Sequence, residues 1–243
     1  MPLDESRALR VYGVLGLGEV RPGDDVGALL AEQLGPPGSG LLRHGDVVVV
    51  TQKIVSKAEG RLVRVDHGDP AQKRALVESE SVRVLRRRGE LLITETAHGF
   101  VCANAGVDLS NVGEGWATLL PVDSDRSARR IRAALRRRLS VAVGVVVSDT
   151  VGRPWRQGVT DVAIGVSGIA AVVDLRGTAD ATGRELAATQ VCVADELAAA
   201  AELVMGKDRA IPAAVVRGVP TAWLRDSSVR EEIVRGSAED LFR

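Results

Sequence analysis

Apolar runs in this chain end abruptly on polar groups. Residues 141–147 (VAVGVVV) are continuous, small and β-branched, the pattern of a strand covered on both faces. Residues 148–158 (SDTVGRPWRQG) then read as a loop that carries a carboxylate, a hydroxyl and the guanidinium groups of Arg153 and Arg156. Val47–Val50 reads as a second buried strand, leaving through Thr51, Gln52, Lys53, Ser56 and Lys57. Residues 9–16 make a third, with its exit at Gly16–Glu19. Further strands are expected at 61–65, 90–96, 99–103, 117–122, 159–166, 169–175 and 213–216. Capping residues and helical spacing predict five helices. The first runs from an Asp24-Asp25 cap to Leu34. The second runs from Asp69-Pro70 to Arg88, ending with Arg86, Arg87 and Arg88 on the negative end of its dipole. The third spans an Asp123 cap to Leu139, and the last two cover 183–205 and 228–241.

Helices and strands mix without strict βαβ alternation. The fold class is therefore mixed α/β, with α+β-type mixed sheets rather than a doubly wound Rossmann sheet. No repeat or long linker divides residues 1–243, so the chain is one large domain or two intimate sub-domains.

Composition removes several functions. Thirty-two basic residues balance 32 acidic ones, and aromatics are 2% of the chain. Neither a field nor a stacking surface for nucleic acid is expected. No apolar run approaches the roughly 18 residues of a membrane span. The start, MPLDESRALR, lacks an apolar core, so it does not read as a secretory signal, and a cytoplasmic location is expected. Cys102 and Cys192 form no CxxC unit. Basic charge is nearly all arginine. The lysines are Lys53, Lys57, Lys73 and Lys207, and two of these fall in one short segment.

Motif chemistry is equally selective. There is no Walker A sequence, no GxSxG and no HExxH. Gly13, Gly16 and Gly18 run in the order GxxGxG, unlike the dinucleotide fingerprint. Oxygen chemistry remains. Asp108, in the loop NAGVDLSNVGEG (104–115), and Asp149 each close a strand-to-loop segment, with Thr150 beside the second. Two carboxylates and a hydroxyl suit Mg²⁺ or Mn²⁺. Thr51, Ser56 and Lys57 are natural phosphate donors, and Lys57, Arg153 and Arg156 would balance a polyphosphate. Such a site works by positioning and electrostatics, without a protein nucleophile. His98 reads as a structural hydrogen-bonder, and Asp195 and Glu196 as solvated helix residues.

The segments LGEVRPGDD, DVVVVTQKIVSKAEGR, CANAGVDLSNVGEG, SDTVGRPWRQG with VAIGVSG, GRELAATQVCVADELAAAAELVMGKD and IPAAVVRG resemble, in order, the coenzyme F-420:γ-glutamyl ligases. The likeness covers roughly residues 10–220. It is to the archaeal single-domain enzymes or to the N-terminal half of actinobacterial two-domain proteins, in which a nitroreductase-like domain follows. The resemblance implies that the chain joins L-glutamate to the carboxylate of a deazaflavin F-420 precursor. GTP would be converted to GDP and phosphate through an acyl phosphate, and further glutamates would be γ-linked. It also implies the family's fold as an intertwined homodimer, two divalent cations (Mg²⁺ or Mn²⁺) per site, and a potassium ion.

By the same resemblance, Asp108, Asp149 and Thr150 are metal ligands, and Asn111 contacts the nucleotide. Leu17, Gly18, Glu19 and Val20 occupy an early nucleotide-binding turn, with Leu17-Gly18 where the family often has leucine-proline. Gln52, Lys53 and Lys57 fall on a second nucleotide segment; Gly206, Lys207 and Ile211 fall on a third. Lys207 stands where an acidic metal ligand is usual, which leaves two alternatives: the next residue, Asp208, takes over the metal, or Lys207 replaces part of its charge. The alternative is a non-catalytic nucleotide- or cofactor-binding half of a larger protein.

Overall fold

The computed structural model describes Asp4 and residues 8–36, 38–110 and 112–241. β1 (Arg10–Gly13) is followed by α1 (Val26–Gln33), whose Asp25 cap accepts from the Ala28 amide at 3.0 Å. β2 (Val47–Thr51) runs straight into α2 (Gln52–Ala58). After β3 (Leu62–Arg64), Asp69 caps α3 (Pro70–Ser79). β4 (Ser81–Arg88), β5 (Leu91–Thr96) and β6 (Val101–Ala103) form a three-stranded sheet. A 3-10 turn at Asn104–Gly106 leads toward β7 (Trp116–Thr118), which pairs with β3. Then come α4 (Ser124–Leu139), β8 (Gly144–Gly152) and β9 (Val159–Ser167). β10 (Val173–Asp174) pairs with β11 (Gln190–Val191), and α5 (Val193–Met205), β12 (Ala213–Arg217) and α6 (Val229–Glu232) complete the chain. The sheets are mixed, as the irregular alternation predicts.

The five-stranded sheet has the order β1-β12-β2-β8-β9, with β2 and β8 parallel and the other pairs antiparallel. β12 runs against both β1 and β2, so β1, β2 and β8 all point the same way. α1 and α4 cover one face. There Val48, Val50, Val145 and Val147 pack with Leu30, Ile131 and Leu135. α5 covers the other, where Val47, Val49 and Val146 meet Leu197, Ala201 and Met205. Two covered faces explain why the valine runs are continuous. Burying each of these side chains contributes about 2 kcal/mol before entropy is counted.

Several expected boundaries move. β8 does not stop at Val147. It continues through Ser148, Asp149 and Thr150 to Gly152, opposite Ala163, Val162, Asp161 and Val159 respectively for Ser148, Asp149, Thr150 and Gly152. The connecting loop is only 153–158. Arg86, Arg87 and Arg88 lie on β4 rather than at a helix end, because α3 stops at Ser79 and the chain turns back through Gly89-Glu90 into β5. The segment after β2, read from the sequence only as a strand exit, is a short helix. The fourth helix starts at Val193 instead of 183, the last covers 229–232 instead of 228–241, and only 173–174 of the strand expected at 169–175 pairs. Among the described residues no helix is long and apolar enough to cross a membrane.

One irregularity matters for the site. Val147 pairs with Gly165 but Ser148 pairs with Ala163, so Ile164 is an extra residue on β9. This β-bulge shifts the side-chain alternation by one position. Asp161 therefore shares a face with Ala163 and α5, the same face as Ser148 and Thr150.

Candidate functional site

At one edge of the sheet, Gly13 and Thr51 are the C-terminal ends of β1 and β2, and Ser148 is level with Thr51 on the like-directed β8, which runs on to Gly152. Open α/β sheets bind ligands beyond such ends. The chain approaching β12 crosses this edge: the Thr51 amide donates to the Pro212 carbonyl at 2.9 Å, and Val14 donates to Ala213 at 2.8 Å. Ile211 packs its side chain over Gly13. Segments 14–20, 51–57, 148–150 and 206–212 thus meet in one place.

Lys53 and Lys57 lie four apart on α2, so they share one side of that helix. Lys53 Nζ stands 2.8 Å from Asp108 Oδ2 and donates to the Ser110 hydroxyl at 2.8 Å. This contact brings the 104–115 loop to the sheet edge. Burial alone would raise the Asp108 pKa, but the hydrogen bonds from Lys53 and the Ser110 amide, with the Lys53 charge, hold it below the ordinary value. Lys57 pairs with Glu19 at 2.6 Å, tying α2 to the early turn. In that turn Leu17 packs on the core, Val20 is buried, and Gly18 and Glu19 are exposed. Gln52 and Ser56 are buried, and both donate to the Leu119 carbonyl, at 3.3 and 2.6 Å. They brace the strand-like segment 116–120, and the Ser56 hydroxyl is committed there rather than facing a phosphate. Asn111 lies outside the described residues.

Successive residues on β8 face opposite sides of the sheet. Asp149 lies on the α2 side, and its carboxyl is pushed up to about 7, first by burial, against the Thr150 amide bond, then by the charges of Asp108 and Asp161; Lys53 pulls it down. Thr150 lies on the α5 side. Its hydroxyl donates to Asp161 Oδ1 at 2.7 Å, and the Ser148 hydroxyl donates to Asp161 Oδ2 at 2.9 Å. Lys207 Nζ completes the group. It contacts the Thr150 hydroxyl, Asp161 Oδ1 at 3.0 Å and Glu202 Oε1 at 2.9 Å. Burial would lower the Lys207 pKa; the bonds to Glu202 and Asp161 and their charges outweigh it and hold the ammonium up. Asp208 is exposed, and it is Lys207 that reaches Thr150 and Asp161. Gly206 supplies the turn, with φ 61° after Met205.

Asp161, Glu202 and Ser148 were not singled out from the sequence. Asp161 had a signal: a lone carboxylate inside the apolar run 159–166 must have partners if buried, and it is 2% exposed. Arg153, Trp155 and Arg156 lie exposed in the 153–158 turn. His98 is structural, its Nε2 lying 2.9 Å from the Pro121 carbonyl oxygen. Asp195 is not merely solvated, since it accepts from the Ala163 amide at 2.9 Å and fastens α5 to β9.

Among the described residues no cluster of three or more His, Cys, Asp or Glu side chains is arranged as a metal centre. The donors nevertheless fit a hard cation in kind. They are carboxylates and a hydroxyl, and the Asp149 carboxyl is raised first by burial and then by the charges of Asp108 and Asp161, an unfavourable charge that a cation would relieve. A separate cavity of about 1090 Å³, between α4, residues 97–100 and residues 226–232, includes none of these groups.

A family profile described as F420-0:gamma-glutamyl ligase matches residues 15–218. The chain is 41% identical to the coenzyme F420:L-glutamate ligase of Methanothermobacter thermautotrophicus, over 97% of this chain and 99% of that protein. It is 43% identical to the enzyme of the same name from Methanopyrus kandleri, over 93% and 94%. Identity to the one from Methanocaldococcus jannaschii is 37%, over 83% and 86%.

Proposed function

We infer the function from a premise now in hand: the chain belongs to the F420-0:gamma-glutamyl ligase family. It is a ligase of coenzyme F-420 biosynthesis. It joins L-glutamate to the deazaflavin precursor at the expense of GTP and adds further glutamates by γ-linkage. The observation that carries this reading is the meeting of Lys53–Asp108, Asp149 and Thr150–Asp161–Lys207 at one edge of the sheet, where β1 and β2 end and β8 runs on beside β9.

In the proposed reaction an oxygen of the acceptor carboxylate attacks the terminal phosphorus of GTP, and the bond to the GDP oxygen breaks. The glutamate amine then attacks the acyl carbon of the resulting acyl phosphate. The amide bond forms, phosphate leaves, and the amine gives up a proton. Lys57 and Lys53 present ammonium groups to the phosphates, with Leu17–Val20, Asn111, Gly206 and Ile211 shaping the nucleotide pocket. Asp108 and Asp149 would hold a divalent cation, Mg²⁺ or Mn²⁺, while the Thr150 hydroxyl of the second implied position is already engaged by Lys207 and Asp208 stands exposed beside it. When bound, such a cation offsets phosphate charge and aligns the terminal phosphate. A potassium ion and a homodimer belong to the same proposal. The Asp149 carboxylate accepts no substrate proton in this scheme; its task is electrostatic positioning.

The test supplies GTP, Mn²⁺, glutamate and the deazaflavin precursor and follows product mass. Gain of one or more glutamyl units, lost in Asp149→Ala with the fold intact, is expected, and no mass gain would sink the ligase reading. A second reading is favoured by Lys207, which already fills the oxygen set around Thr150: a nucleotide-binding half without turnover. GDP and precursor binding with no product would select it.

A further inference from the structure

The oxygens around Lys207 come from three elements: the Thr150 hydroxyl from β8, Asp161 Oδ1 from β9 and Glu202 Oε1 from α5. Two carboxylates and a hydroxyl converging on one point are the donors a hard cation takes. Asp161 is almost completely buried, and Lys207 is its ion-pair partner. A carboxylate so placed without a counter-charge is costly, so a positive group there is required by the fold itself. The Lys207 side chain is still half exposed, at 52%, as expected of a group that arrives from outside, at the end of α5, and plugs the set with its tip.

On the far side of β8, the described residues set one ammonium, Lys53 at 2.8 Å from Asp108 Oδ2, against the two carboxylates of Asp108 and Asp149. The two oxygen sets are therefore not equivalent. One already holds its cation covalently. The other has a deficit.

Resting on the ligase reading, we propose that Lys207 is a tethered cation occupying one cation position of the site, so that the chain recruits a single divalent ion, at Asp108 and Asp149. Removing the ammonium leaves Asp161, Glu202 and Thr150 with two negative charges and three converging oxygens, and a second divalent ion then enters. Lys207 is a positioning residue here, acting on the site's charge and on the orientation of Thr150.

The experiment titrates the full chain with Mn²⁺ in the presence of GDP and reads free Mn²⁺ by electron paramagnetic resonance. Wild type should bind one ion per chain, Lys207→Gln two, and Lys207→Arg one. Anomalous scattering at the manganese edge should place the additional ion of Lys207→Gln among Thr150, Asp161 and Glu202. Equal counts in wild type and a folded Lys207→Gln overturn the proposal, as do two ions in wild type. If Lys207→Gln does not fold, a Mn²⁺ soak of wild-type crystals decides. An ion bonded to Asp161 overturns the proposal, and an ion at Asp108 and Asp149 alone supports it. Failure to add glutamate with one ion bound would refute the ligase reading and leave Lys207's role standing; no ion in any variant overturns both.

Discussion

At the scale of single residues, Asp149 sets how the site responds to pH. Its carboxyl is raised from an ordinary 3.8 to about 7 in the fold. The folded state thus holds this proton more tightly than the unfolded state. Its contribution favours folding at low pH, and it is lost progressively as pH rises from about 4 to about 7. Without divalent ions, the loss of stability across that window should be on the order of a few kcal/mol and should largely vanish in Asp149→Asn. Denaturant midpoints of the two proteins at pH 5 and pH 7.5 check this, and equal slopes would remove Asp149 as the cause. Cys102 shares the neighbourhood. Burial, then the Asp149 charge, pushes its thiol up to about 12, against a backbone bond from Gly106, so it is not a nucleophile at neutral pH.

At the scale of elements, the close approach of β9 to α4 depends on Gly165. A Cβ there would lie 2.3 Å from the Ser124 carbonyl carbon and 2.7 Å from the Asp125 nitrogen, both backbone atoms that cannot step aside. Gly165→Ala should cost about 1–3 kcal/mol, read as a lowered urea midpoint. Gly152→Ala, with nothing within 4 Å of its Cβ, should change stability by no more than about 0.5 kcal/mol. The valine runs at 47–50 and 141–147 were legible because both faces of those strands are covered. The onward course of β8 was not: Ser148, Asp149 and Thr150 look like a strand's end, and only their pairing with β9 keeps them extended. β4 was misread because an edge strand exposed on most of its surface shows no period of two, leaving its arginines to suggest a helix end. α2 was missed for the opposite reason. Its seven residues are too few to display a helical period. Of the candidate site, Asp108, Asp149, Thr150 and Lys57 were visible as polar groups at strand exits. Asp161 required the Ile164 bulge, which a sequence pattern does not announce, to turn it toward Thr150.

At the scale of the molecule, the balanced charge of 32 basic and 32 acidic residues hides a strongly paired interior. Arg217 grips the buried Asp46 with two bonds, 2.9 and 2.7 Å, and covers the Tyr12 ring at 5.5 Å, locking β12 between β1 and the start of β2. Asp125 accepts from Val166 at 2.8 Å and from Val229 at 3.0 Å, joining α4, β9 and α6. The strand order has a consequence for biosynthesis. β2 needs β8, about a hundred residues later, on one side and β12 on the other, while β1 has, among the described residues, only β12. Such long loops must close before any central pairing repays their entropy, so folding should be slow, in the millisecond-to-second range or longer. A nascent chain that has emerged only as far as α5 has β1 unpaired and β2 open along one edge. Truncation at Gly206 should therefore abolish the cooperative unfolding transition seen by circular dichroism; a surviving cooperative transition would mean that β2, β8, β9 and α4 can assemble before synthesis reaches β12.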